Sequence, residues 1–185
     1  RNKMKTFKIF VLTVFFIVSL NSNSQDSLKL HDTFYKNQQQ SLLLLSGWSV
    51  VNLVGSPIAN KNMYNSTTIN EYFHEMNFNW NLLNAGIVGL SHFLVYRDSK
   101  IEWNLNQLSS KKAKAEKSII FNMGLDLIYV ISGLIMSKTA DVNKESYQIN
   151  KGYGNSLMIQ GGYLFLYDAI FLRKLKKIKM QPKFD

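Results

Sequence analysis

Apolar and polar positions alternate along this chain in long blocks. After a first apolar run at residues 9–20, four more apolar stretches lie at 41–59, 78–96, 118–137 and 155–172. At 1.5 Å per residue, each of the four is about long enough to cross a hydrocarbon core of about 30 Å. Each also carries an amide or a carboxylate in its middle: Asn52, Asn81 with Asn84, Asn122 with Asp126, and Gln160 with Asp168. Polar groups in membrane-length helices are costly unless they meet one another or line a cavity. The pattern predicts an all-α fold, a four-helix membrane bundle with polar inward faces over residues 41–172.

Helical projection groups these polar positions. In the first segment Ser41, Leu45, Trp48, Asn52 and Gly55 with Ser56 share a face. In the second, Asn77, Asn81, Asn84, Val88 and Ser91 align, with His92 adjoining. The third aligns Ser118, Asn122, Asp126, Tyr129 and Gly133. The fourth aligns Ser156, Gln160, Tyr163, Tyr167 and Phe171, with Asp168 beside Tyr167. A weak internal repeat accompanies the faces: Trp48-x-x-x-Asn52 matches Trp80-x-x-x-Asn84. That spacing sets Trp and Asn one turn apart on one side of a helix.

The connections read as follows. Residues 1–3 precede Met4, the expected natural start. Lys5 and Lys8, the apolar run and Ser22-Asn23-Ser24 before Gln25 together predict a secretory signal peptide over residues 1–24. Residues 25–40 are a polar lead-in. Residues 60–68 read as loop, with a helix starting before the second apolar segment and Asn70 as a candidate cap. Residues 98–117 are basic and helical through Lys111–Lys117, and 173–185 form a basic tail.

Composition changes this picture at three points. Mean hydropathy is −0.10, low for a membrane protein, because polarity is confined to the connections. The net charge of +10 is concentrated in the 97–117 connection and in the tail. Basic clusters flanking apolar helices set topology or touch anionic lipid, and no nucleic-acid motif accompanies them here. Cysteine is absent, which excludes disulfides, thiolate metal sites and cysteine nucleophiles.

The charge distribution conflicts with four spans after a cleaved signal. Gln25 would then lie outside, and so would both basic regions, against the positive-inside bias. A re-entrant or interfacial first segment, permitted by Gly55 and Pro57, would leave three spans and resolve the conflict.

Two readings of the polar faces stand. In one they are helix–helix glue. In the other they line a pocket for a small ligand or ion, with Trp48, Asn52, Trp80, Asn81, Asn84, His92, Asn122, Asp126 and Gln160 as its residues. Asp126 has no Lys or Arg within the segments to neutralise it. It is expected to be protonated, held by Asn122 and Tyr129, or paired with His92. Asp168 is expected to pair with Arg173 or Lys174. Glu71-x-x-His74-Glu75 lacks the second copy that a di-iron bundle needs and reads as a solvated or interfacial turn before the second helix. No phosphate loop, nucleophile elbow or His-Glu-x-x-His is present, so neither cofactor nor metal is expected. An intramembrane enzyme using Asp126 and His92 is the remotest option.

The runs Tyr72-Phe73-His74-Glu75-Met76-Asn77-x-Asn79-Trp80-Asn81-Leu82-x-Asn84-x-Gly86, Phe121-Asn122-x-Gly124-Leu125-Asp126-x-x-Tyr129 and Gly152-Tyr153-Gly154-x-Ser156-Leu157-x-x-Gln160-Gly161 resemble an uncharacterised family of small bacterial membrane proteins, many from Bacteroidota. The resemblance implies a four-helix membrane domain and no particular activity. It brings no functional residues with it. The chain is thus expected to be a non-enzymatic module of the inner membrane. Expected partners are the bilayer and its anionic lipid, with a second copy or another envelope protein left open.

Overall fold

The computed structural model describes the backbone of residues 2–180 and the side chains of residues 27–180. The side chains behind the signal-peptide reading lie outside the described ones. Four helices make up the fold: α1 (Asn2–Ala59), α2 (Ile69–Ser99), α3 (Leu105–Lys138) and α4 (Tyr147–Lys176). No strand occurs among the described residues.

The ends of the helices follow from local sequence. Thr68 caps α2: its side chain accepts from the Glu71 backbone N–H, and Glu71 reaches back to the cap. This capping box displaces the expected cap at Asn70, since only Thr68 has an acidic partner three residues on. Asn104 and Gln107 form a second box that starts α3. Pro57 lies inside α1, two residues before its end. The helix runs through it, so the first apolar segment is one continuous helix.

Consecutive helices run antiparallel. His92 of α2 meets Ser46 of α1, and Gly161 of α4 lies beside Asp126 of α3. The central helix is α4, which packs along α3 and against α2, while α1 packs on α2. No backbone contact joins α2 to α3. A cleft separates these two helices although they are neighbours in sequence.

Close packing of α3 on α4 depends on glycine. A methyl group added to Gly154 would lie 2.7 Å from the Gly133 carbonyl oxygen, and one on Gly161 would lie 2.7 Å from that of Asp126. Small residues let helix backbones approach where side chains would hold them apart.

Among the described residues, one end of the bundle has an ordinary apolar core. Phe34, Tyr35, Leu108, Ile119, Leu175 and Ile178 cluster there, close to Trp103 and the basic residues. Elsewhere the buried positions are mostly polar: Ser49, Asn77, Asn81, Ser156 and Gln160 are nearly inaccessible. Large apolar side chains point outward instead, among them Val51, Leu83, Leu90, Phe121, Ile135 and Leu166. Two described helices, Ser27–Ala59 and Leu105–Lys138, are long and apolar enough to cross a membrane.

Candidate functional site

Three groups of buried polar residues lie along the bundle. The first is fully bonded and joins three helices. Trp48 Nε1 donates to Gln160 Oε1 at 2.8 Å. Gln160 Nε2 donates in turn to Asn77 Oδ1 at 2.8 Å and, more weakly, to Asn52 Oδ1 at 3.5 Å. Ser156 Oγ donates to the same Asn77 oxygen at 2.6 Å. The Trp48 indole lies flat on Tyr163, with ring centroids 3.9 Å apart. The network links α1, α2 and α4 through a single carboxamide.

A second group closes the end formed by the 60–68 loop. Glu75 is buried, and accepts from Tyr153 Oη at 2.6 Å and Ser66 Oγ at 2.7 Å. Asn60 Nδ2 supports Ser66 at 2.9 Å and the Glu71 carbonyl at 3.0 Å. Burial and the Glu75 bond push the Tyr153 hydroxyl pKa up. Glu75 is therefore no part of a solvated turn. Its donors come from the loop and from α4, so nothing near it in sequence announces its burial.

The third group faces the cleft between α2 and α3. A cavity of about 560 Å³ lies there, reached also by Leu42 and Leu45 of α1 and by Leu164, Tyr167 and Asp168 of α4. Trp80, Asn84, Asn122 and Asp126 line it. Trp80 meets Tyr129 edge-on across the cleft, centroids 4.7 Å apart. Three atoms in this wall are buried without a hydrogen-bond partner: Trp80 Nε1, Asn84 Nδ2 and Asp126 Oδ2.

The predicted pocket residues are thereby divided. Trp48, Asn52 and Gln160 belong to the bonded network, and Trp80, Asn84, Asn122 and Asp126 to the cavity. Asn81 is buried between them; its Nδ2 donates to the Asn77 carbonyl at 2.8 Å, leaving Oδ1 unpartnered. His92 sits apart, 3.1 Å from Ser46 Oγ, so it does not pair with Asp126. Asn122 and Tyr129 make no hydrogen bond to Asp126 either, and Asn122 is exposed at the cavity rim. Asp168 forms no ion pair with Arg173 or Lys174 among the described residues. At five and six residues' distance, those side chains project about 120–140° away around the helix. Asp168 instead lines the same cavity as Asp126. Hydrophobic periodicity placed Asp168 beside the polar face but could not show that Asp126 of α3 lines the same cavity.

At the basic end the α2–α3 link is held by charge. Asp98 accepts from Lys111 Nζ at 2.6 Å, and the same ammonium lies 4.0 Å over the Trp103 ring. The Lys111 bond holds the Asp98 carboxyl below its usual range. Among the described residues no group of three or more His, Cys, Asp or Glu is placed to hold a metal ion.

The fold is thus an all-α bundle of four helices with polar groups between them. The chain belongs to a family of unknown function (DUF6992), which matches residues 44–169. No curated protein and no solved structure matches it.

Proposed function

We propose that this protein is a multi-pass integral membrane protein of the cell envelope, acting as a structural or interaction module and not as an enzyme. One observation carries the reading: the inside-out distribution of polarity. Within one helix, Asn77, Asn81 and Asn84 are buried while Leu82, Leu83, Ile87 and Leu90 are exposed. The same inversion recurs in α4, where Gln160 is sealed and Leu166 and Ile170 face outward. In water such surfaces would form large contiguous apolar patches, which soluble monomers rarely show. In a bilayer lipid covers the apolar faces, and Gln160 bonds Asn77 and Trp48 between the helices.

The antiparallel order also bears on orientation. The basic 97–117 link, the basic end of α4 and residues 27–35 of α1 share one end of the bundle. Charge bias assigns that end to the cytoplasm, where anionic lipid would meet Arg173, Lys176 and Lys177. Export of Gln25 by a cleaved signal would assign it to the outside. Alkaline carbonate extraction of cells expressing the full chain tests the main reading: the protein should stay with the membranes. Release into the soluble fraction would overturn it. Labelling of single cysteines introduced at Lys112 and Lys177 then separates the two orientations.

A second reading, a small-ligand or ion-binding bundle, is favoured by the unpartnered atoms in the α2–α3 cleft. Network residues of the glue kind satisfy one another, whereas these do not.

A further inference from the structure

The two Trp-x-x-x-Asn turns have met opposite fates. Each tryptophan pairs with a tyrosine of another helix: Trp48 with Tyr163, and Trp80 with Tyr129. Each tyrosine has a polar residue three positions before it, Gln160 in one case and Asp126 in the other. In the first copy the Gln160 carboxamide fills the space between the partners. Its oxygen accepts from Trp48 and its nitrogen donates to Asn77. In the second copy Asp126 is one methylene shorter. It makes no bond to Trp80, and both residues line the cavity.

The first copy shows what the second lacks: an acceptor for the indole N–H and a donor for the acid. We propose that the α2–α3 cavity binds a small organic ammonium compound carrying a hydrogen-bond acceptor close to its nitrogen. The proposal rests on the ligand-binding reading and gives that ligand a chemistry. The ammonium would donate to Asp126 Oδ2, in a cavity that the Asp168 carboxylate also lines. The acceptor would take the Trp80 and Asn84 N–H groups.

Four observations fit this occupant. Asn84 and Asp126 are 9% and 4% exposed, and both hold an unpartnered atom in the cavity wall. Buried polar atoms of this kind are rare without a partner. Two carboxylates line the space, and among the described residues no Lys, Arg or His does. Lys111, in the adjoining groove, is already held by Asp98. The walls include Trp80, Tyr129, Tyr167 and Phe171, whose ring faces attract an organic cation. A bare metal ion fits less well. The indole and amide donors would repel it, and the 560 Å³ space is of the size that organic ligands occupy.

The ammonium could belong to a free solute or to an aminophospholipid headgroup, and the test separates them. The full chain is purified in detergent, and its melting temperature is followed with ethanolamine, ethylammonium, ethylene glycol, Na⁺ or Mg²⁺ added. A parallel set in nanodiscs compares phosphatidylethanolamine with phosphatidylcholine. Ethanolamine, or phosphatidylethanolamine alone, should raise the melting temperature. Ethylammonium should bind at least threefold more weakly and ethylene glycol not at all. Asp126→Asn should weaken binding at least tenfold. If that variant does not fold, Asp168→Asn and Trp80→Phe supply the comparison, each with a loss of at least threefold. An Asp126-dependent response to Na⁺ or Mg²⁺ but to no ammonium overturns the organic ligand and keeps the pocket. A response to no probe, or one unchanged in the variants, overturns both. Neither result bears on membrane insertion, which carbonate extraction reads separately.

Discussion

Replacing Gln160 by methionine should cost about 1–3 kcal/mol of stability. Methionine keeps the length and approximate volume of the side chain but none of its hydrogen bonds. Gln160 is fully buried and makes two short bonds, to Trp48 and Asn77, each at 2.8 Å. The contact to Asn52 at 3.5 Å is too long to add much. Asn77 Oδ1 keeps Ser156 as a donor at 2.6 Å, so the main loss is the orphaned Trp48 N–H. Side-chain bonds between membrane helices average about 0.6 kcal/mol and reach about 1.7. A buried donor left without a partner costs about 1–3 kcal/mol. For a chain of this size, each kcal/mol lowers the melting temperature by about 2–4 °C. Thermal unfolding of the purified protein should therefore show a drop of about 2–12 °C. A double-mutant cycle with Trp48→Phe isolates the indole–carboxamide bond, and its coupling energy should be about 0.6–1.7 kcal/mol. Zero coupling, or a more stable Gln160→Met protein, would refute the view that this network joins α1, α2 and α4.

Three further outcomes are expected. Gly161→Ala should lose about 1–3 kcal/mol by overpacking against Asp126, whereas Gly162→Ala, with open space at its Cβ, should behave as wild type in the same melting assay. Tyr153→Phe removes the 2.6 Å bond to buried Glu75 and should lower the melting temperature more than Tyr64→Phe, an exposed control. The Glu71 carboxyl is held down to about 2 by the Thr67 backbone N–H, the Asn62 side chain and the Thr68 backbone N–H. Its folded value lies below its ordinary one, so the cap is fully stabilising above about pH 4.5 and is lost as pH falls toward 2. Wild type should thus lose more stability than Glu71→Gln between pH 5 and 3, and equal losses would show that the cap does not titrate there.

The second apolar segment was the most legible part of the chain. Asn77, Asn81, Asn84 and Val88 are the predicted inward face and are buried together. The third was less so. Asp126 and Gly133 are buried as expected, yet Ser118 and Asn122 are exposed. Helical projection assumes a partner on one side, and α3 is covered along only part of its length, mainly by α4. The capping box at Thr68 and Glu71 was present in the sequence and was outweighed by Asn70, although its reciprocal pair is the stronger local signal.

By itself the sequence determined an all-α fold with four helices and, in the second segment, the side that carries buried amides. These are local properties, set by a 3.6-residue period and by the alternation of apolar and polar blocks. Tertiary structure decided which polar groups find partners. Gln160 and Asp126 occupy similar positions before a tyrosine, and neither sequence context predicts its outcome. One carboxamide reaches across three helices and closes its network. One shorter carboxylate stops at a cleft that exists because α4, and not α3, packs against α2. A difference of one methylene acquires meaning only once the helices are in place.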